Sequence, residues 1–396
     1  MNEKKKQERP AVRLPQSLIS FPGNALARVV NFFKSFSLTN FRIFFYHLKN
    51  RDFATLGDII KRRLSIVNIG NDYASKIEVE LKTHDDKVIV HDLPDIYHYW
   101  SNKFLKPKFD ALGIENIQSL FADPIERFYQ QHNRTVTVAS LGPGNCDFEV
   151  NIARQLTENG TKLFEIHCYE LNEKMIDRGR ELAQKEGVAK HFKFIQSDAN
   201  KIEFKQGYDV FMANQSLHHF TELEHIFEAI RSKMKPESCF VVSDMIGRNG
   251  HMLWPEAYTL VRKIWPLLAK EKTWNHQLKR HEKKYDNWDC AKGGFEGIRA
   301  QDILPLLIKY FEFDLFYAFA NIIDPFIGRN FGPNFDRNDT FDRTFVDFVA
   351  SLDESYIKEG RITPTHLVAR MVLEKKGRTQ TIDGLTPEKC VRYPDA

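Results

Sequence analysis

Long apolar runs are missing from this 396-residue chain. No segment approaches the ~20 apolar residues that cross a bilayer, which excludes a membrane-embedded body. The opening MNEKKKQERP is charged and leads into no apolar stretch of signal-peptide length. Cysteine is scarce: Cys146, Cys168, Cys239, Cys290 and Cys390 lie far apart and form no CxxC pair. That pattern argues against a disulfide framework and a cysteine-rich zinc site, and no metal is expected. It favours a reducing compartment, so a cytoplasmic protein is expected. Internal repeats and low-complexity tracts are also absent.

A strong excess of one charge is lacking too, since the net charge is only +4. Its distribution is uneven. Met1 to Leu64 holds 13 Lys/Arg against 4 Asp/Glu, and the remainder holds 44 against 49. A long nucleic-acid substrate calls for a basic groove on the body, and the body is mildly acidic; no nucleic acid is expected. Residues 1–70 read as a basic, partly disordered extension with helical apolar spacing between Asn24 and Leu64. It is either an appendage packed on the body or a basic surface for anionic lipid or a partner protein.

What the chain has in plenty is phenylalanine, 32 residues, which points to a large core. From Thr135 onward, strands and helices alternate. Strands are expected at Thr135–Leu141, Leu163–Tyr169, Phe192–Ile195, Tyr208–Ala213 and Cys239–Ser243. Helices are expected at Phe148–Glu158, Glu173–Glu186 and Leu223–Met234. Such alternation implies βαβ units and a parallel sheet covered on both faces. Phe311–Phe319 and His366–Leu373 complete seven strands as an antiparallel edge pair. A β-rich patch is expected at Lys76–Val90 and a helical stretch around Asp95–Tyr129. The expected organisation is a lid or cap over 71–134, a cofactor domain over 135–374 with helical insertions at 245–299 and 321–365, and a tail over 375–396.

The strand tips carry the chemistry. The first runs into Leu141-Gly142-Pro143-Gly144-Asn145, where glycines let the backbone turn and approach a ligand, although tight βα turns share the pattern. The second ends at Tyr169-Glu170-Leu171, where Glu170 either accepts from two ribose hydroxyls or helps cap the next helix. The third leads to Gln196-Ser197-Asp198-Ala199, an adenine contact or an Asx-turn. The fourth ends in Asn214-Gln215-Ser216-Leu217-His218-His219, a polar cluster leaving an apolar strand.

In that order, these tips resemble the class I S-adenosylmethionine-dependent methyltransferases of small-molecule type, over about Tyr97 to Glu374. The resemblance implies a doubly wound, Rossmann-like α/β fold with S-adenosylmethionine as cofactor. Gly142, Gly144 and Asn145 are implied at its amino-acid end, Glu170 and Leu171 at the ribose, Asp198 and Ala199 at adenine, and Asn214 and Gln215 at the sulfonium side. Two positions depart from the family pattern. Ser140 stands where an acidic residue is common, and Cys146 where a third glycine is. Tyr99 lies in a segment similar to the lid helix of these enzymes and is a candidate cofactor contact, with core packing as the alternative.

Transfer to a hydroxyl needs a base near the methyl group. Candidates are His218 and His219, then His276 and Glu296 from the 245–299 insertion, with His218 first because strand-four ends lie near the methyl. The aromatic and polar insertions suit a sugar, glycan or hydroxylated ring as acceptor. The alternatives are an NAD(P)-dependent oxidoreductase, against which Asp147 stands where a dinucleotide fingerprint wants glycine or alanine, and a non-catalytic cofactor-binding scaffold.

Overall fold

Strands β1 (Val136–Leu141), β2 (Phe164–Glu170), β3 (Phe192–Gln196), β4 (Tyr208–Asn214), β5 (Met234–Met245), β6 (Glu312–Phe319) and β7 (His366–Val372) make one sheet. Their order is β3-β2-β1-β4-β5-β7-β6. The first five run parallel, and β7 enters antiparallel between β5 and β6. These are the elements of a computed structural model that describes residues 93–292 and 294–394, with Tyr73, Lys76 and Ile77 besides. They belong to the unit Glu78–Pro394. The expected helices between Asn24 and Leu64 lie outside the described residues, as does the Lys76–Val90 patch apart from Lys76 and Ile77, which are helical.

Both sheet faces are buried, for the reason the apolar runs gave. Along β1, Val136 and Val138 join one core and Ala139 and Leu141 the other; along β4, Val210 and Met212 oppose Phe211 and Ala213. Helices α1 (Asp95–Trp100), α2 (Lys106–Ala111), α3 (Ile117–His132), α4 (Asp147–Glu158), α5 (Glu173–Lys185), α6 (Leu223–Lys233), α7 (Pro255–Ile264), α8 (Ala300–Tyr310) and α9 (Thr340–Lys358) surround the sheet. Leu223, Ile226, Phe227 and Ile230 of α6 and Ile303, Leu304 and Leu307 of α8 cover the second face. Helices α3 and α4 contribute to the first. The helical stretch expected around Asp95–Tyr129 consists of α1, a π-helical turn at Ser101–Leu105, α2 and α3, broken after Ala111 at Gly113, whose φ is +71°. Strand β5 starts earlier than expected. It takes in Lys235 and Pro236, which close the helix only in sequence, and its register with β4 shifts between Tyr208 and Val210.

The strand order places the carboxyl ends of β1 and β4 side by side, with β2 beyond β1 and β5 beyond β4. The chain leaves β1 in opposite directions through the two βα halves. The crevice outside those strand ends is where open α/β sheets bind ligands. No helix among the described residues is long and apolar enough to cross a membrane.

Candidate active site

Gly142 and Gly144 turn the chain after β1 with φ of +61° and +58°, a region that costs a side-chain-bearing residue about 1 kcal/mol or more. Gly142 also has no room for a Cβ, which would sit 3.0 Å from the Cβ of Ser216 and 3.1 Å from the Phe220 ring. Cys146 follows at φ +58°, so the position of the missing third glycine keeps the glycine-like backbone. The turn is braced by Glu170, whose Oε2 accepts the Gly144 N–H at 3.0 Å and whose Oε1 accepts the Asn172 N–H at 2.9 Å. Asn172 caps α5, its Oδ1 accepting from Lys174 and Met175. The strand-two carboxylate is therefore held against the glycine turn, with Leu171 following at the tip.

Asn145 is buried and accepts from Nε of Arg178 at 2.8 Å. Asp198 forms an Asx-turn, its Oδ1 accepting the Asn200 N–H at 3.0 Å, and Ala199 beside it is buried. Asn200 in turn accepts from the Thr221 and Glu222 N–H groups, which ties the β3 tip to the segment after β4. Asn214 ends β4 next to Ser243 of β5. Gln215 takes a left-handed φ of +52° and donates its N–H to the Ser243 carbonyl at 2.7 Å.

Beyond Gln215 lies a network the sequence shows only in part. Asp244, fully buried at the end of β5, accepts the N–H groups of Ser216 and Leu217 on Oδ2 and of Met245 on Oδ1. Its Oδ1 also lies 2.6 Å from Nδ1 of His218. With that nitrogen carrying the proton toward the carboxylate, Nε2 of His218 presents its lone pair. It faces Glu296, whose oxygens stand 3.6 Å from Nε2 of His218, 3.6 Å from Nε2 of His219 and 2.8 Å from Nε2 of His251. The rings of His219 and His251 lie 4.3 and 5.0 Å from that of His218. Burial would raise the Glu296 carboxyl, but the His251 hydrogen bond and the charges of His219 and His218 outweigh it and hold it well below the usual carboxylate range. Burial lowers His251, partly offset by its bond to Glu296.

The 245–299 insertion delivers Glu296 and His251 to this place. The Ile298 N–H bonds the His218 carbonyl at 3.1 Å, and the Gly250 N–H bonds the Gly297 carbonyl at 2.8 Å. Arg299 grips Glu224 and the Thr221 carbonyl, fixing the end of the insertion on α6.

The structure thus brings His218, His219 and Glu296 together and leaves His276 out. The His276 ring pairs with Oδ1 of Asn334 at 2.8 Å and its N–H with the Asn330 carbonyl. Tyr99 turns to α9, its hydroxyl donating to Asp347 at 3.0 Å beside Lys103, and opens onto a cavity of about 390 Å³ with Asn102, Arg337 and Asn338. The aromatic segment that resembles a lid pairs here with an inserted helix, which its sequence does not reveal. Two members of the network were missed. Asp244 was legible in principle, as a carboxylate at the tip of the strand beside β4. His251 carried no signal, because the path of an insertion is not periodic.

The residues fit an adenosyl sulfonium. A turn with glycine at 142 and 144, a carboxylate braced against it and an Asx-turn acid lie at neighbouring strand tips. Comparison with known proteins agrees. Strand order with a reversed seventh strand defines a Rossmann-like methyltransferase fold. Residues 132–301 match the family model described as "Methyltransferase domain".

Among solved structures, the chain is similar to an S-adenosylmethionine-dependent methyltransferase from Geobacter sulfurreducens in complex with S-adenosyl-L-homocysteine (11% identity, 64% of this chain and 91% of that one, TM-score 0.33). It is similar to StiE O-MT residues 961–1257 (10%, 73% and 85%, 0.36). A putative O-methyltransferase from Nostoc punctiforme matches at 19% identity over 48% of this chain and 52% of that one, with a TM-score of 0.26. No curated protein matches the chain.

Proposed function

We propose that the protein transfers the methyl group of S-adenosylmethionine to a hydroxyl of a small or medium-sized acceptor, a sugar, glycan or secondary metabolite. When bound, the cofactor supplies an already activated methyl on a sulfonium. The protein's own task is then orientation, exclusion of water and handling of the acceptor's proton. Gly142, Gly144 and Asn145 hold the amino-acid end, Glu170 and Leu171 the ribose, Asp198 and Ala199 the adenine, and Asn214 and Gln215 the sulfonium side.

The observation that carries the reading is the pairing of Asp244 with His218 directly after β4. A buried carboxylate on Nδ1 fixes the imidazole's tautomer and aims Nε2 at the cluster. A hydroxyl placed there is activated by the histidine–carboxylate group, with His218 foremost and His219 and Glu296 beside it. A cytoplasmic setting belongs to this reading and is supported by five unpaired thiols. The basic N-terminal extension is read as a contact surface for anionic lipid or a partner protein.

The test has two parts. Calorimetry with S-adenosylmethionine, S-adenosylhomocysteine and NAD is expected to give binding of the first two alone. A labelled-methyl screen against fractionated cell extract is expected to label a hydroxylated small molecule or glycan, and His218→Ala to cut that labelling at least ~100-fold with little change in S-adenosylhomocysteine affinity. Binding of NAD alone, or equal losses of turnover and affinity, would overturn the reading.

A further inference from the structure

We propose that His218, His251 and Glu296 form a binding site for one divalent transition-metal cation, with His219 at its edge. The inference rests on the reading of this cluster as the place where the acceptor hydroxyl is activated, and it changes how His218 acts there.

The ligand geometry comes first. Among the described residues, one ring nitrogen from each histidine and one Glu296 oxygen lie within 4.8 Å of one another. Metal bonds of roughly 2.0–2.2 Å to nitrogen and oxygen, at tetrahedral or octahedral angles, put neighbouring ligand atoms roughly 2.9–3.5 Å apart. The spacings to Glu296 of 2.8 Å from His251 and 3.6 Å from His218 bracket that range. The two imidazole nitrogens lie within 4.8 Å of each other, and closing the set requires them to approach to that range.

The support behind the ligands is of the kind metal sites have. A ligating histidine ordinarily gives its other N–H to a carboxylate. His218 gives Nδ1 to Asp244 at 2.6 Å, and Asp244 is itself fixed by three backbone N–H groups. His251 is held in place at a cost in backbone energy. Its φ is +54°, a left-handed value that is strained for a non-glycine residue and clusters at functional sites. Gly297 makes room for its ring, since a Cβ there would lie 3.0 Å from Cε1 of His251. Nδ1 of His251 is buried and finds no hydrogen-bond partner, so His251 lacks the carboxylate support that His218 has.

Charge and access agree. The carboxylates of Glu296 and Asp244 beside these imidazoles suit a dication. His218 and His251 side chains are 5% and 13% exposed while that of Glu296 is 46% exposed, so an ion enters past Glu296. Two imidazoles and one carboxylate select a first-row transition ion over magnesium or calcium and leave positions open for water or an acceptor oxygen. Coordination lowers the pKa of that oxygen's proton. The proton then leaves to solvent, the oxygen forms its bond to the methyl carbon, and the carbon–sulfur electron pair stays on sulfur. His218 thus acts as a ligand, not as the proton acceptor.

The full chain, stripped with chelator and dialysed, is titrated with Co²⁺, Mn²⁺ and Zn²⁺ by calorimetry and with Co²⁺ by absorption. One ion per chain is expected, with a visible Co²⁺ band of nitrogen–oxygen ligation. His251→Gln and Glu296→Gln are expected to weaken binding more than ~100-fold, and Asp244→Asn by ~10–100-fold. Melting curves without metal check that each variant folds. A wild-type chain that binds no ion, or variants that bind as tightly as wild type, overturns the proposal. Should methyl transfer proceed without any ion and still need His218, the metal site falls and the methyltransferase reading stands. If an ion binds but S-adenosylhomocysteine does not, the reverse holds.

Discussion

Oδ1 of Asp244 lies 2.6 Å from Nδ1 of His218 across the β4–β5 boundary, and neither side chain is more than 5% exposed. The contact joins the tip of one strand to the turn after its neighbour. It forms only because β4 and β5 run parallel with Asn214 opposite Ser243. Replacing Asp244 with Asn keeps the shape but removes the charge and leaves the amide to choose between donor and acceptor roles. Turnover is expected to fall by ~100-fold or more, with cofactor affinity within about threefold of wild type. Steady-state labelling beside calorimetry checks the split; a parallel loss of both would make Asp244 merely structural.

Glu170 is expected to govern cofactor affinity. Glu170→Ala removes the acceptor of the Gly144 N–H and the carboxylate proposed to hold the ribose. S-adenosylhomocysteine binding should weaken by ~10–100-fold, equivalent to about 1.4–2.8 kcal/mol, while the melting temperature shifts by only a few degrees. Retained affinity would place the ribose elsewhere.

Glu149 introduces a pH dependence. Its Oε1 accepts from the Ser140 hydroxyl at 2.8 Å, while Oε2 is buried without a partner. Burial pushes the carboxyl up to about 7, against partial opposition from Ser140. A carboxyl raised in the folded state binds its proton more tightly there than in the unfolded chain. Its contribution is therefore most favourable at low pH, is lost as pH rises from about 4.5 to 7, and stays lost above. Glu149→Gln should remove a penalty of up to ~3 kcal/mol at pH 8 and flatten the melting temperature between pH 5 and 8. Thermal melts across that window decide it, and an unchanged slope would show the carboxyl to be ionised at no cost.

At the opposite end of β4, Asp209 works with the other sign. It is fully buried, accepts from Arg134, Lys235 and Thr137, and is held well below the usual carboxylate range, these bonds outweighing its burial. A depressed folded-state value gives stability that is present above the unfolded carboxyl range and is lost as pH falls from there through the folded value. Asp209→Asn is expected to cost about 2–4 kcal/mol at neutral pH and to blunt acid unfolding. Denaturant titration at neutral pH, and in acid well below the unfolded carboxyl range, checks both.

Much of this protein was legible in the chain alone. Period-two apolar runs separated by 3.6-period segments dictate strands and helices, and their alternation dictates a parallel sheet, because both depend on neighbours in sequence. Gly142, Gly144, Glu170 and Asp198 were legible for the same reason, each standing at the end of an apolar run. The structure decided what depends on residues distant in sequence. His276 and Tyr99 went to Asn334 and Asp347, while Asp244 and His251 came to His218. Where an insertion folds is set by backbone hydrogen bonds such as Ile298 to His218 and Gly250 to Gly297. Those bonds link positions 80 and 47 residues apart, which no local pattern specifies; only the folded chain brings three imidazoles and one carboxylate to the same point.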